Sequence, residues 1–499
     1  MRLRIELQEY DFVKDSTGNK KFFCENDEIH NATLFYEYSP DGSHYLILKD
    51  GENSEKCRFK LKEPLLENIP DEEKESDWSK FARFLGLHVE FENLRPVLKA
   101  HWFVGITRLL VENGEIIVQV KPKMDNLNSI GMLMEVLSHP QVSPHIKSGE
   151  TYEILTNERP IELEEVPDDY LLFLLIHYLK ILNDLLKRGL QKGYRRATEN
   201  LRGRVRGRLL VGKTIRENWS RGKKHYTHCS YQIYTPDTLE NRILKAAFLK
   251  ARGYIHSQKL ANGTLGRWIG RANAEMEMVS SVRIYPGDFS LTTVQRIRPD
   301  YRIALSLAKI ILRTLGYDPT VETAKERIRH IYPYWIDMNE LFERYVEVKL
   351  RRGEIGVLKD YRVYPGYGYG EGIPIKDKSI GKLRPDFVLV KKEEDENIKI
   401  AIGDAKYKED YKNGWVKEDL QQVALYGRIK WGKIKKWIEG KYGASKEINC
   451  ENQNEKEDCP GREPEMYIFY PVEKSNEQKL VSAESFRGIH KIGIQIPLK

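Results

Sequence analysis

The hydrophobic period of this chain changes along its length, and that change limits the fold more than any other feature. Before about Pro167, short apolar runs alternate with polar positions at a spacing of two, the mark of half-buried strands. From there the spacing becomes 3.6: residues 170–186, 239–254 and 303–315 each set apolar side chains along one helical face. After Asp337 the two periods mix. A chain of 499 residues exceeds one ordinary core, so two to four domains are expected. The pattern predicts a multi-domain α+β protein: an N-terminal β-rich region at 1–160, a mainly helical middle at 161–330, and a C-terminal α/β domain at 331–499.

Within the first region, strand-like runs at 3–7, 21–24, 33–38, 45–48 and 57–61 are parted by turns such as Ser39-Pro40-Asp41-Gly42. They predict a small barrel or sandwich. Residues 79–85 read as a helix, and Asn113-Gly114 between the apolar runs of 106–120 predicts a hairpin. Later, Asp337 followed by Glu340 has capping-box spacing and predicts a helix start, with Met338, Leu341, Phe342, Tyr345 and Val346 as its apolar stripe. A further helix is expected at about 418–438, then a polar insertion near 444–463 and closing strands.

Hydrophobic residues at 40% and charged residues at 31% suit a folded, soluble chain. The formal charge of +8 makes nucleic acid a reasonable partner without requiring one. No secretory signal opens the sequence, and the most apolar run, 170–182, is interrupted by His177 and Lys180 and is too short to span a bilayer. A cytoplasmic protein with no membrane partner is expected. The five cysteines include no CxxC pair; Cys450 and Cys459 flank a polar stretch read as a surface loop.

Chemistry concentrates between Leu383 and Lys408. Two strand-like runs, 387–390 and 398–402, enclose the polar turn 393–397. With Asp395 as its centre, Asp386 lies nine residues before and Asp404 nine after, so both carboxylates meet across the strands at the open end. Lys406, two residues beyond Asp404, shares its face. Paired carboxylates repel unless a hard divalent cation such as Mg²⁺ relieves them. Such a cation polarises a phosphate, and a neighbouring ammonium offsets charge developing on it. The alternative is a surface hairpin whose acids are solvated. A near copy, Arg298-Pro299-Asp300-Tyr301, precedes a helical pattern and has no acid-x-Lys at hairpin distance, so it reads as a helix N-terminus.

The flanks add Glu343, at the margin of the preceding helix stripe, and Gln422 with Tyr426, an i,i+4 pair on the following helix. Helix glutamate, PD…DxK hairpin and QxxxY helix resemble the PD-(D/E)XK nucleases. More specifically, WIDMNELFERYV (335–346), GKLRPDFVL (381–389) and GDAKYK (403–408) resemble McrC, the nuclease subunit family of the McrBC restriction systems. Upstream segments at 114–137, 200–205 and 240–248 extend that likeness over roughly 100–499, whereas the first 80 residues match nothing recognisable. The resemblance implies a restriction-endonuclease-like C-terminal domain that cuts double-stranded modified DNA. Asp386 and Asp404 would bind Mg²⁺ or Mn²⁺, Lys406 would serve the attacking water, and Glu343 and Gln422 would support the site. It also implies a partner, an McrB-like AAA+ GTPase hexamer that binds the GTP and is stimulated by part of this chain's N-terminal half; the first 75 residues or so are the expected element. A stand-alone repair or recombination nuclease, and a non-catalytic subunit that activates a motor, are the competing readings.

One motif points elsewhere. GRLLVGKT (207–214) satisfies the phosphate-loop spacing G-x-x-x-x-G-K-[ST]. Its context is wrong: arginine-rich sequence precedes it instead of a buried strand, and 209–211 read as strand. The enclosing segment 192–224 carries twelve basic residues against Glu199 and Glu217, interleaved with Tyr194 and Trp219. It is a candidate phosphate-contacting patch, a docking surface for an acidic partner subunit, or a solvated face. His225 and His228, beside Cys229, lack a second ligand cluster and read as structural.

Overall fold

The computed structural model describes residues 2–8, 12–13, 21–24, 27–28, 33–38, 44–49, 55–61, 88–92, 95–99, 102–111, 114–124, 126–146, 149–156, 158–163, 168–260, 263–291, 298–316, 330–366, 373–374, 382–392, 398–408, 411, 414–427, 429, 431–443, 464–473, 480–483 and 488–498. The expected helix at 79–85, the insertion near 444–463 with its two cysteines, the 39–42 turn and Asp395 lie outside them. Two compact units emerge: Met1–Ile154 with Pro333–Lys499, and Leu155–Tyr332. The expected three-part division drew boundaries at 160 and 330, close to those of the inserted unit. The two outer parts, however, share strands. Tyr334–Asp337 pairs antiparallel with both Phe103–Val111 and Tyr152–Ile154. Such pairing across more than 200 residues leaves no local periodic trace.

In the first unit a seven-stranded sheet runs Tyr152–Ile154, Tyr334–Asp337, Phe103–Val111, Gly114–Lys121, Arg2–Gln8, Lys21–Cys24 and Asp27–Glu28. The hairpin expected around Asn113-Gly114 is present, with Val111 opposite Gly114. Arg2–Gln8 lies beside it in parallel, Ile5 facing Val118, and buries Leu3 and Ile5. The early strands therefore do not make one small barrel or sandwich. Arg2–Gln8 and Lys21–Cys24 join the large sheet, while Thr33–Tyr38, His44–Lys49 and Glu55–Leu61 form a separate three-stranded sheet. Alternation identified the strands but could not choose their partners. A disulfide between Cys24 and Cys57, which the cysteine spacing did not indicate, ties the two sheets.

The same unit holds a six-stranded sheet in the order Arg362–Pro365, Phe387–Lys392, Ile398–Ala405, Glu465–Val472, Ile489–Gln495 and Leu480–Ser482. Its first three strands pair antiparallel; Ile398–Ala405 and Ile489–Gln495 both run parallel to Glu465–Val472. Helix Met338–Arg351 starts where the capping signal put it: Asp337 accepts the Glu340 N–H at 3.0 Å, and all five residues of the expected stripe are buried. The single helix expected at 418–438 is two, Lys417–Tyr426 and Trp431–Tyr442. The break follows from packing at Gly427, where a Cβ would stand 2.8 Å from Met466 Sδ.

The inserted unit contains the expected helices as Asp168–Lys187, Leu239–Ser257 and Pro299–Leu315, with Gly263–Glu275 in addition. Pro299 and Asp300 sit in the first turn of their helix, as the Arg-Pro-Asp copy implied. This unit is less exclusively helical than its periodicity predicts. The basic segment forms a ten-residue antiparallel ribbon, Gly193–Arg202 against Tyr226–Thr235, with Arg208–Leu209 on its outer side. Its strands escaped notice because most of their side chains are exposed or only half-buried, so no apolar alternation marks them. Among the described residues no helix is long and apolar enough to cross a membrane.

Candidate active site on the C-terminal hairpin

The register of the hairpin places the acids. Phe387 pairs with Gly403 and Lys392 with Ile398, so Asp386 and Asp404 are opposed one step beyond the last paired residues. This is the relationship the symmetric spacing about Asp395 required. The apolar strand residues Val388, Leu389, Ala401 and Ile402 are fully buried and fix that register against a one-residue slip. Gly366 braces the entry to the site. Its N–H donates to Asp386 O at 2.6 Å, and a Cβ there would lie 1.9 Å from Pro385 O.

Asp386 Oδ2 accepts the Ala405 N–H at 2.7 Å. Asp404 is buried at 1% exposure, and its Oδ2 faces Lys406 Nζ at 2.7 Å. That approach is an ion pair without hydrogen-bonding geometry, since Oδ2 gains no hydrogen-bond donor. Lys406 Nζ donates to Gln422 Oε1 at 2.9 Å, and Gln422 Nε2 donates to Tyr426 OH at 3.0 Å. The Tyr426 hydroxyl, shared with Arg384 O, lies 3.3 Å from Asp404 Oδ1. Asp404, Lys406, Gln422 and Tyr426 thus close a ring of polar contacts between the strand end and helix Lys417–Tyr426.

Glu343 completes the set from helix Met338–Arg351. Its carboxylate is held by Arg344 Nη1 at 3.0 Å, and Arg344 also reaches Glu340 at 3.3 Å. The electrostatics show how crowded the acids are. Burial, then the charges of Asp404 and Glu343, push Asp386 well above the usual carboxylate range. Burial also raises Asp404, against the pull of Lys406. Glu343 is pushed up to about 7, by burial first; Arg344 opposes this, and Glu340 and Asp404 add to it. For Lys406, burial favours the neutral amine but Asp404 outweighs it, so the ammonium is stabilised. The five residues singled out in the sequence therefore converge. Among the described residues no group of three or more histidine, cysteine, aspartate or glutamate side chains is close enough to hold a metal ion; the hairpin offers a pair.

Sequence reasoning missed the supporting residues. Arg344 was hidden as one more charge on an amphipathic helix. Asp419, which Lys408 and Tyr411 grip, had no local signal at all.

The phosphate-loop spacing is accounted for differently. Helix Val211–Glu217 begins at the third of its four variable positions, so Val211 is helical and not the end of a strand, and no loop remains to wrap a phosphate. Thr214 is buried and accepts the His228 N–H at 2.9 Å. His228 Nε2 faces Glu217 Oε2 at 3.1 Å, and Cys229 is buried and free.

Together these features define a mixed α/β protein with a buried carboxylate pair and a lysine gathered at the open end of an antiparallel hairpin, between two helices. The chain belongs to the family of McrBC 5-methylcytosine restriction system components, whose sequence model matches residues 98–435. Among solved structures it is similar to a half-complex of Thermococcus gammatolerans McrB AAA+ hexamers with bound McrC, from a tetradecameric assembly. That match has 18% identity, covers 87% of this chain and 84% of that one, and has a TM-score of 0.34. A second is the cryo-EM structure of the Thermococcus gammatolerans McrBC complex, at 18% identity over 62% of this chain and 78% of that one, TM-score 0.27. None of the curated proteins matches the chain.

Proposed function

We propose that this restriction-system component is its DNA-cutting subunit, a metal-dependent endonuclease of the PD-(D/E)XK type acting on double-stranded modified DNA. The observation that carries the reading is the convergence of Asp386, Asp404 and Lys406, backed by Gln422 and Tyr426, at one hairpin end.

The donor set fits a hard divalent cation. Two crowded carboxylates, both favouring their protons, give up that repulsion to a cation, and Asp404 Oδ2 lacks a hydrogen bond. Mg²⁺ binds through one or two carboxylates with water and substrate phosphate completing its shell, so a pair suffices. Asp386 and Asp404 would hold it, and when bound it would polarise the scissile phosphate and acidify water. Lys406, fixed by Asp404 and Gln422, orients the attacking water and offsets charge on the phosphate. Glu343, pushed up to about 7, can take or return a proton near neutral pH.

The family likeness further supports a GTP-hydrolysing AAA+ partner that binds the nucleotide and gates cutting. The element that engages it is better sought in the ribbon 193–235 than in the first 75 residues. Arg2–Gln8 is built into the large sheet with Leu3 and Ile5 buried, so its removal would damage the fold. An element that enters a ring must be narrow, self-supporting and polar. The ribbon is two strands wide, its backbone bonds are internal, and its end is held by a reciprocal amide pair between Asn200 and Asn218 at 2.8 and 3.1 Å. Val205, Val211 and Ile215 are exposed among its arginines and lysines, which suits an acidic protein surface with apolar pockets.

The test combines the full-length chain, methylated duplex DNA and Mg²⁺, with and without the AAA+ GTPase and GTP. Cutting only in the complete mixture is expected. Cutting by the chain alone supports a self-sufficient nuclease, and GTPase stimulation with intact DNA supports a non-catalytic bridging subunit.

A further inference from the structure

Helix Lys417–Tyr426 carries Gln422 and Tyr426 to the site, yet nothing in its own sequence fixes where it starts. It is ten residues long, and its N-cap is Val416, which supplies no side-chain hydrogen bond. A helix this short is marginal without tertiary anchors. The anchor is Asp419 in its first turn. This carboxylate is 5% exposed and accepts from Lys408 Nζ with both oxygens, at 3.0 and 2.9 Å, and from Tyr411 OH at 2.7 Å. Tyr411 is in turn immobilised: it is fully buried, stacks on Tyr470 at 5.6 Å, and accepts Lys491 Nζ on its carbonyl at 2.8 Å.

The geometry of the chain makes this more than a local tie. Lys408 lies two residues beyond Lys406, and Lys406 N–H bonds Phe469 O at 2.8 Å, so both lysines leave one short segment docked on the sheet. On the helix, Gln422 and Tyr426 follow Asp419 by three and seven residues and share its face. One rigid segment and one helix face are therefore joined twice: at Lys408–Asp419, and again at Lys406–Gln422.

We propose that Asp419, Lys408 and Tyr411 form a positioning clamp that sets the height and rotation of helix Lys417–Tyr426. It thereby holds Gln422 against Lys406 and Tyr426 against Asp404. The clamp touches no reacting group; it acts through Gln422 and Tyr426. Its effect on cutting rests on the nuclease reading above, whereas its effect on the helix does not.

Two measurements on the full-length chain test it. Hydrogen exchange followed by mass spectrometry reads the helix directly: Asp419→Asn should speed exchange across 417–426 while leaving the large sheet protected. Single-turnover DNA cleavage, in the presence of the AAA+ GTPase, GTP and Mg²⁺, reads the consequence. Asp419→Asn and Lys408→Met should each slow cutting about 10- to 100-fold, the range typical of residues that orient metal-site groups. Stimulation of the partner's GTP turnover should stay within twofold. Lys408→Arg, which keeps a cation there, should restore most of the rate. The double variant should be little worse than the poorer single one, because both break the same tie. Wild-type cutting rates in Asp419→Asn overturn the clamp alone, even if exchange rises. A general loss of exchange protection, with GTPase stimulation falling in parallel, overturns it in favour of a plain folding role. A wild-type complex that never cuts defeats the nuclease reading, and the clamp's catalytic role with it.

Discussion

Lys406 Nζ stands 2.7 Å from Asp404 Oδ2 and reaches the site from two residues further along the same strand end. The pair divides two tasks that are easily confused, because an ammonium cannot ligate a cation. Asp404→Ala and Asp386→Ala should each abolish calorimetric binding of Mn²⁺ or Mg²⁺. Lys406→Ala should leave binding largely in place, and tighter if anything, since a competing positive charge is removed. Loss of binding in Lys406→Ala with retention in Asp404→Ala would reverse the assignment.

The raised acids make stability depend on pH in a definite direction. Glu343 has a folded pKa of about 7 against an ordinary value near 4.5. The folded protein therefore keeps a proton that the unfolded chain has already lost. The favourable term is fully present below about 4.5 and is lost as pH rises through about 7. In metal-free buffer, Glu343→Gln should match wild type in thermal stability near pH 4.5 and exceed it progressively towards pH 8. Calorimetric unfolding of both proteins across that range checks this; an advantage that shrinks with rising pH contradicts the assignment.

Gly366 fills a place that admits no side chain. Its Cβ would meet Pro385 O at 1.9 Å and displace the backbone that carries Asp386. Gly366→Ala should lower stability by roughly 1–3 kcal/mol, as other overpacked sites do, and reduce metal affinity as well. An alanine variant of unchanged melting temperature and metal affinity would show that the contact is relaxed in solution.

Residues 207–214 should prove structural. Lys213→Ala should not alter nucleotide binding by the chain, since no phosphate loop is formed there. Thr214→Val strands the His228 N–H, which should cost about 1–3 kcal/mol within the inserted unit. Saturable GTP or ATP binding by the isolated protein, removed by Lys213→Ala, would overturn the structural role.

How far the sequence alone could reach depended on the range of each interaction. The hairpin was legible because its register is a local count: equal spacing of Asp386 and Asp404 about Asp395 needs no distant partner. The start of the Met338–Arg351 helix was equally local, carried by Asp337 and Glu340. The partner of Arg2–Gln8 lies more than 100 residues away, and that of Tyr334–Asp337 more than 200, so neither sheet order nor the shared unit could be read. The ribbon was concealed for a different reason. Strands with most side chains in solvent lose the alternation that identifies them, and their arginines suggested an irregular basic segment instead. Asp419 combines both difficulties, since its partners are eight and eleven residues away in a turn with no periodic signal.

Single-turnover cleavage of methylated duplex DNA by the complex of this chain with its AAA+ GTPase, compared between wild type and Asp404→Asn, tests the central claim most directly when GTP turnover is recorded in the same reaction. The account predicts that wild type cuts with Mg²⁺ and GTP, and that Asp404→Asn leaves the DNA intact while stimulating GTP hydrolysis as wild type does. Cleavage by Asp404→Asn at the wild-type rate would contradict it.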